Sequence, residues 1–294
     1  MGKVLVIGGS GAYTLEKGEF GEVVGVKRVE TPFGLSNPIY TIKHPNGFEY
    51  LFLSRHGERD YTKTAPFVNY RANIYGAKEL GAERVIAWTG PGSLKRDLKP
   101  GEFVVPHDIL DFTKGRKTTF FENGGLGFVR QSPVFCPQVR ECLLESLKEL
   151  KETVHDGGVY CCTEGPRLET PAEIRAMERL GGELVGMTLV PEVFLAKELE
   201  MCYGAVCYVT NFAEGVKEAA FKEGELFEGM VSGEEMERVN QAVRRFPEVV
   251  KLCVEKLYRL ERTCHCPKLM ERYRRKGRIG TDWRQWILEE FDYQ

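Results

Sequence analysis

Val159-Tyr160-Cys161-Cys162-Thr163-Glu164-Gly165-Pro166-Arg167-Leu168-Glu169-Thr170 is the stretch on which the reading of this 294-residue chain turns. An apolar, strand-like run hands over to polar residues and a Gly-Pro turn, and a short helix follows. The pattern recurs in Gly186-Met187-Thr188-Leu189-Val190-Pro191-Glu192, which lies between two helical segments. It recurs again where the strand from Tyr203 to Val209 ends on Thr210-Asn211-Phe212-Ala213-Glu214-Gly215. Open α/β sheets bind ligands beyond the carboxyl ends of their strands. Three such ends predict one small-molecule site on an α/β scaffold.

Working outward, Val4 to Ile7 reads as a strand opening onto Gly8-Gly9-Ser10-Gly11, whose amides and hydroxyl suit an anion. No G-x-G-x-x-G follows, because Glu16-Lys17-Gly18-Glu19-Phe20-Gly21 breaks the spacing, so a dinucleotide fold is not expected. Val23–Val29, Ile39–Lys43 and Phe48–Leu53 read as strands, the last two joined by a Pro45-Asn46-Gly47 hairpin turn. The third ends on Ser54-Arg55-His56-Gly57, where a guanidinium fork beside a second donor suits an oxyanion clamp or, equally, a surface salt bridge beside a core histidine. Pro66–Leu80 has helical periodicity stopped by Gly81. Arg84–Trp88 is a strand that delivers Thr89-Gly90-Pro91-Gly92-Ser93. Phe103–Pro106 is a short strand, residues 111–133 a long loop of the kind that carries function, and Pro137–Leu150 an amphipathic helix. Ser232-Gly233-Glu234-Glu235 caps a helix running to about Leu260, after a charged segment from Lys217 to Phe227.

Forty-one basic against 43 acidic residues give a formal net charge of −2, without the basic excess of nucleic-acid binders. No apolar run approaches the roughly 20 residues that span a bilayer, and the N-terminal strand turns polar too soon for a signal peptide. A cytoplasmic protein is expected. The 42% hydrophobic content suffices for a core without staples. Nine cysteines lack paired Cys-x-x-Cys spacing, and Cys264-His265-Cys266 needs a second pair elsewhere to complete a zinc tetrahedron. No metal site is expected. The segment from Thr263 onward combines Arg272, Arg274, Arg275, Lys276 and Arg278 with Trp283, Trp286 and Phe291. It reads as a C-terminal helical extension (residues 263–294) docked on the main domain (residues 1–262) or on a neighbouring subunit, rather than as an RNA grip.

Gly8-Gly9-Ser10-Gly11, Thr31-Pro32-Phe33-Gly34, Arg55-His56-Gly57, Val68-Asn69-Tyr70-Arg71-Ala72-Asn73-Ile74, Gly92-Ser93, Pro100-Gly101-Glu102, Phe135-Cys136-Pro137, Glu164-Gly165-Pro166-Arg167, Gly186-Met187-Thr188 and Val190-Pro191-Glu192 stand in one order over residues 1–260. Together they resemble the trimeric purine nucleoside phosphorylases and their methylthioadenosine phosphorylase branch. The resemblance implies a mixed sheet curling into a distorted barrel flanked by helices. It implies phosphorolysis of an N-glycosidic bond with inorganic phosphate as co-substrate and no cofactor. Ser10, Arg55, His56, Thr89, Gly90 and Thr188 match the phosphate positions. Met187 matches the residue along the ribose, and Leu168, Glu169, Asn211 and Ala213 match the base pocket. The catalytic set this implies is Asn211, Glu169 and His56.

Within that resemblance two residues select the base. The adenine branch carries Asp-x-Asp where this chain has Asn211-Phe212-Ala213, and an amide donates to O6 and N7 of a 6-oxopurine. Glu169 matches the carboxylate that accepts from purine N1–H, where adenine presents a lone pair. Sites built on buried hydrogen bonds reject mismatched partners strongly. The implied substrates are inosine, guanosine and 5′-methylthioinosine. The alternatives are an adenine-type methylthioadenosine phosphorylase and a non-catalytic purine-binding homologue. No His follows Asn211 before Cys264-His265-Cys266, and the apolar Leu226, Phe227, Met230 and Val231 lean towards the methylthio group. Phe128 stands where the methylthioadenosine branch has a His at a subunit boundary. The resemblance further implies a homotrimer or a hexamer of two trimers, and intrachain bonds, as in heat-stable relatives, between Cys136 and Cys207 or from Cys202 to the Cys264–Cys266 pair.

Overall fold

A computed structural model describes residues 2–58, 61–218, 223–226 and 230–288. The strands in chain order are β1 (Lys3–Gly8), β2 (Glu22–Lys27), β3 (Glu30–Thr31), β4 (Gly34–Leu35), β5 (Ile39–Lys43), β6 (Glu49–Ser54), β7 (Ala82–Thr89) and β8 (Gly92–Ser93). They continue as β9 (Phe103–Val105), β10 (Asp108–Phe112), β11 (Val154–Asp156), β12 (Val159–Thr163), β13 (Leu184–Gly186), β14 (Cys202–Tyr208) and β15 (Asn211–Phe212). The helices are α1 (Tyr70–Glu79), α2 (Pro137–Glu149), α3 (Pro171–Arg179), α4 (Glu192–Glu198), α5 (Gly233–Arg259), α6 (Glu271–Arg275) and α7 (Gln285–Leu288).

An eight-stranded mixed sheet has the order β11-β9-β14-β7-β1-β6-β5-β2, and β14, β7, β1 and β6 run parallel at its centre. Both faces of these strands are covered, which is why β1 reads as a continuous apolar run. Its side chains divide by the two-residue period of a strand. Leu5 and Ile7 enter one core cluster with α1 and α4, and Val4 and Val6 enter another with α2 and α5. The fold class is therefore the mixed α/β sheet flanked by helices that the sequence implied.

A second, five-stranded sheet has the order β10-β12-β13-β8-β15. It is continuous with the first: β7 passes into β8, β9 into β10 and β14 into β15, each across two residues. These three crossings curl one sheet into the other along a seam. The centre of the large sheet ends at this seam, so Gly8–Ser10, Ser54–His56, Thr89–Gly90 and Tyr208–Asn211 gather there.

One helix differs in extent from the sequence reading. The single helix expected over Pro66–Leu80 is a 3-10 turn at Ala65–Phe67 followed by α1. The break falls at Asn69, whose side chain caps α1 by accepting from the Ala72 amide at 3.2 Å and donates to Phe33 O at 2.7 Å. Arg71 pairs with Glu122 at 3.0 Å over the Phe33 ring, so it too is structural. The C-terminal extension docks on its own body. Met270, Tyr273, Ile279 and Trp286 are buried in the α1–α4 cluster, and Trp283 meets Tyr75 edge to face with ring centroids 4.8 Å apart. Of the basic run, Arg274 is held by Glu200 at 2.6 Å and Arg278 donates to Gly124 O. Residues 289–294, including Phe291, lie outside the described residues, as do 219–222 and Phe227. Among the described residues no helix is long and apolar enough to cross a membrane.

Candidate active site

The anion end is assembled by backbone crowding at the strand ends of the large sheet. A Cβ on Gly9 would stand 2.4 Å from Trp88 O and 2.7 Å from Arg55 Nη1, so only glycine lets β1 and β7 close around that guanidinium. Arg55 is fully buried. Its Nε and Nη2 donate to Glu192 at 2.8 and 2.7 Å, and Glu192 also accepts from Tyr203 Oη at 2.7 Å. Burial opposes the charge on Arg55 and Glu192 more than restores it. What remains is Nη1, whose contact to Trp88 O is a long 3.4 Å. Of the clamp and the salt bridge that the residues allow, the structure shows the fork filled by a carboxylate, buried rather than at the surface, with one nitrogen left over.

His56 follows on the same strand end. Nδ1 lies 2.9 Å from Lys63 O, which can only accept, so Nδ1 carries the proton. Burial, with Arg55 and Arg116 adding to it, pushes His56 down to about 4, so the ring is neutral at pH 7. Its Nε2 is buried without a partner among the described residues, a lone pair left to accept from a donor. The Tyr61 ring lies 4.4 Å from the His56 ring, and the Tyr61 hydroxyl meets Ser10 Oγ. Thr89 Oγ1 and Thr188 Oγ1 are 3.1 Å apart and both buried. Gly90 packs under Tyr208 and Thr210, and Tyr208 Oη donates to Ser10 O at 2.7 Å. These contacts draw Ser10, Arg55, His56, Thr89, Gly90 and Thr188 into one cluster.

The base end belongs to the small sheet. Register places Cys161, Val185, Gly92 and Asn211 side by side on β12, β13, β8 and β15. Because β8 and β15 run opposite to β12, the start of β15 lies at the same edge as the end of β12. Paired residues share a face, so Asn211 faces the same side as Cys161 and, two residues on, Thr163. Thr163 Oγ1 donates to Glu169 Oε1 at 2.5 Å. The carboxylate and the amide thus stand at one edge and on one face, with Gly92 leaving a notch in the row between Val185 and Asn211. Asn211 is oriented by accepting from Thr210 Oγ1 at 2.7 Å and donating to Phe212 O at 2.8 Å; its Nδ2 also lies 3.5 Å from Met230 Sδ. Ala213 is buried behind the row with Ile174 and Met177, and Leu168 is half-buried beside Glu169.

Met187 links the two ends. Its sulfur sits where a Cβ on Gly165 (φ +66°) would come within 2.4 Å, so the Glu164-Gly165-Pro166 turn is pressed against it. Sequence reasoning missed the residue that fastens this arrangement. Arg116, from the 111–133 loop, donates to the carbonyls of Thr163 (3.0 Å), Glu164 (2.6 Å), Met187 (2.6 Å) and Val190 (2.5 Å). One guanidinium therefore ties the loop carrying Glu169 to the loop carrying Met187 and Thr188. Glu192, the partner of Arg55, was quoted only as part of a motif. An arginine far from every motif gives no local signal; the length of its loop was the available hint.

The Phosphorylase superfamily model matches residues 3–255. A probable 6-oxopurine nucleoside phosphorylase of Moorella thermoacetica is 44% identical over 232 residues, 78% of this chain and 86% of the relative. A probable S-methyl-5′-thioinosine phosphorylase of Methanothermobacter thermautotrophicus is 44% identical over 225 residues, 76% of this chain and 77% of the relative. Among solved structures, a methylthioadenosine phosphorylase from an antarctic soil metagenomic library superposes with a TM-score of 0.78 at 28% identity, covering 91% of this chain and 90% of that one.

Proposed function

The chain belongs to the phosphorylase superfamily, and from that premise we infer that it phosphorolyses 6-oxopurine nucleosides to the free purine and a ribose 1-phosphate. Inorganic phosphate is the co-substrate, and the reaction draws on no cofactor. The observation that carries the choice of purine is the shared edge and face of Glu169 and Asn211. A carboxylate accepting from N1–H and an amide donating towards O6 and N7 read a 6-oxopurine. The identity of the 37–44% identical relatives agrees, since they are named for 6-oxopurine nucleosides or methylthioinosine. The adenine-type alternative has support only from solved structures at 27–28% identity.

The chemistry follows from where charge develops. Phosphate sits among the Ser10, Thr89 and Thr188 hydroxyls, the Gly90 amide and Arg55 Nη1, below the sugar held along Met187. As the glycosidic bond lengthens, the ribose gains oxocarbenium character, and the anion beneath it stabilises that charge while it attacks C1′. His56 Nε2 accepts a hydrogen bond from a protonated phosphate oxygen and so orients the anion's charge towards the sugar. The departing purine gains negative charge at N7 and O6, and the Asn211 amide lies along that side; positioned donors of this kind contribute about 10²–10⁴-fold.

A second reading concerns the 5′ substituent. Among the five histidines, His44, His107 and His155 are engaged elsewhere with Lys251 O, Gly158 N and Glu102, and His265 lies in the extension. Met230 approaches Asn211, and no imidazole but His56 is at the site. This favours acceptance of a 5′-methylthio group. The exposed Phe128 and Phe67 and the exposed edge strand β2 are the surfaces for a trimeric or hexameric assembly, and the cytoplasm is the compartment in which such salvage proceeds. A panel of inosine, guanosine, adenosine and their 5′-methylthio counterparts, with and without phosphate, tests the substrate and the phosphate requirement. Base release from 6-oxopurines that requires phosphate is expected. Faster release of adenine, or release unaffected by phosphate, overturns the assignment.

A further inference from the structure

Four cysteines far apart in sequence meet at the root of the C-terminal extension. Cys136 stands immediately before α2 and Cys202 opens β14; Cys264 and Cys266 lie between α5 and α6. Their sulfurs all fall within 4.8 Å of one another, and Cys202 Sγ is 3.4 Å from Cys264 Sγ. A tetrahedral thiolate site with metal–sulfur bonds of about 2.3 Å needs sulfurs about 3.8 Å apart, whereas a disulfide needs about 2.05 Å. The arrangement is thus a convergence of four, not one close pair. The second pair that Cys264-His265-Cys266 lacks in the sequence is supplied by Cys136 and Cys202. The pairing of Cys136 with Cys207 is not formed, because Cys207 lies five residues beyond Cys202 on the opposite face of β14, in the other core cluster.

The surroundings are built for negative charge. Arg262 has a buried Nε without a hydrogen-bond partner; its Nη2 donates to Glu200 O at 2.8 Å and its Nη1 meets Glu83 at 3.2 Å. Lys197, buried on the other side, donates to Pro133 O at 2.6 Å just before Cys136. Four thiolates around a divalent ion carry two net negative charges, which the Lys197 ammonium and the Arg262 guanidinium, shared with Glu83, partly offset. The backbone is also pre-set: Gln138 Oε1 accepts from the amides of Thr263 and Cys264, both at 3.1 Å, and its Nε2 donates to Glu261 O at 2.8 Å. That holds the Cys264 turn against the start of α2 independently of the sulfurs.

We propose that Cys136, Cys202, Cys264 and Cys266 bind one thiophilic divalent ion, zinc or ferrous iron, in a tetrahedral site that fastens the C-terminal extension to the body. Tetrahedral S₄ sets select these ions. The position explains the role. Cys264 and Cys266 pack against the α2–α5 cluster, and the chain then crosses to bury Met270, Tyr273 and Trp286 in the α1–α4 cluster. The ion sits at that crossover. Binding releases the thiol protons to solvent and changes no oxidation state.

The test is elemental analysis of the full-length protein purified without chelator, together with thiol counting after denaturation without reductant. About one zinc or iron per chain and nine titratable thiols are expected; a ferrous site turns red once dioxygen or ferricyanide oxidises it to ferric, and cobalt substitution of the zinc form gives the intense visible bands of a tetrahedral thiolate site. The double variant Cys264→Ser/Cys266→Ser should lose the metal and become cleavable by protease near residue 263, with phosphorolysis at low temperature within about twofold of the parent. Should that variant fail to fold, the parent still decides the matter through its metal and thiol counts. Four missing thiols without metal would mean two disulfides and would overturn the proposal. Nine thiols with no metal retained after incubation with zinc would overturn it equally.

Discussion

Glu169→Gln isolates the base reader with little disturbance to the fold. Glu169 is half-buried, and Thr163 Oγ1 donates to its Oε1 at 2.5 Å. A glutamine keeps an oxygen for that hydroxyl and turns its NH₂ towards the purine. For inosine this replaces a charge-assisted bond to N1–H, about 1.5–3 kcal/mol, with a donor facing a donor and leaves a buried N–H unpaired, about 1–3 kcal/mol more. The combined loss of about 3–5 kcal/mol corresponds to a drop in kcat/KM of roughly 10²–10³-fold. For adenosine the NH₂ meets the N1 lone pair and gains a neutral hydrogen bond of about 0.5–1.5 kcal/mol, a few-fold improvement. The ratio of inosine to adenosine kcat/KM at saturating phosphate should fall by about 10³ or somewhat more, read as free base by chromatography. A ratio within threefold of the parent's, in a variant with unchanged Tm, would remove Glu169 from contact with the purine and refute the 6-oxopurine reasoning.

Arg55→Ala leaves Glu192 buried and uncompensated, which costs about 3–5 kcal/mol; Arg55→Leu/Glu192→Leu should recover most of that stability in denaturant titrations while still failing to saturate with phosphate, and normal phosphate saturation in the double variant would free Arg55 of any role with the anion. Two buried groups titrate in opposing senses over one pH window. The folded state lowers His56 to about 4, so stability is lost as pH falls from 6.5 towards 4, by about 3 kcal/mol. Burial raises Glu198 to about 7, so its contribution is present below 4.5 and lost as pH rises towards 7, by a similar amount. The parent should therefore show a flat profile between pH 4.5 and 6.5, His56→Asn should become more stable towards acid and Glu198→Gln less so; parallel profiles in all three would contradict the assignment. Arg116→Lys replaces a fork bound to four carbonyls with a single ammonium, and a loss of about 2–3 kcal/mol should lower Tm by roughly 5–10 °C and reduce kcat/KM for every purine alike. A variant that altered purine preference would place Arg116 in contact with the base.

Much of the fold was legible because the strands carry their own signals. The apolar runs of β1, β7, β12 and β14 and the capping box at Ser232 set boundaries within a residue or two of the structure. The two-residue strands β8 and β15 were not legible as strands, since Gly92-Ser93 and Asn211-Phe212 are too short to show any period; the sheet that aligns Asn211 with Gly92 exists only through pairing. The break before α1 was hidden because Asn69, a cap, looks like any polar residue on a helical face. The anion cluster was named residue by residue from motifs, yet its wiring was not: that Arg55 is occupied by Glu192, or that Arg116 ties four carbonyls, depends on partners more than 45 positions away. The cysteines show the same limit, since chain spacing displayed half of a quartet and folding supplied the rest.

The seam between the two sheets divides labour in a way that bears on how such a protein changes over generations. In the proposed function the inorganic partner is held chiefly at the large sheet's strand ends, with Thr188 reaching in after β13, purines are discriminated at the small sheet's edge, and the crossings that join the sheets are backbone. Substitutions at the small sheet's edge can retune which purine is accepted while the large sheet keeps its hold on phosphate. A new substrate preference can therefore arise in single steps, each from a working ancestor.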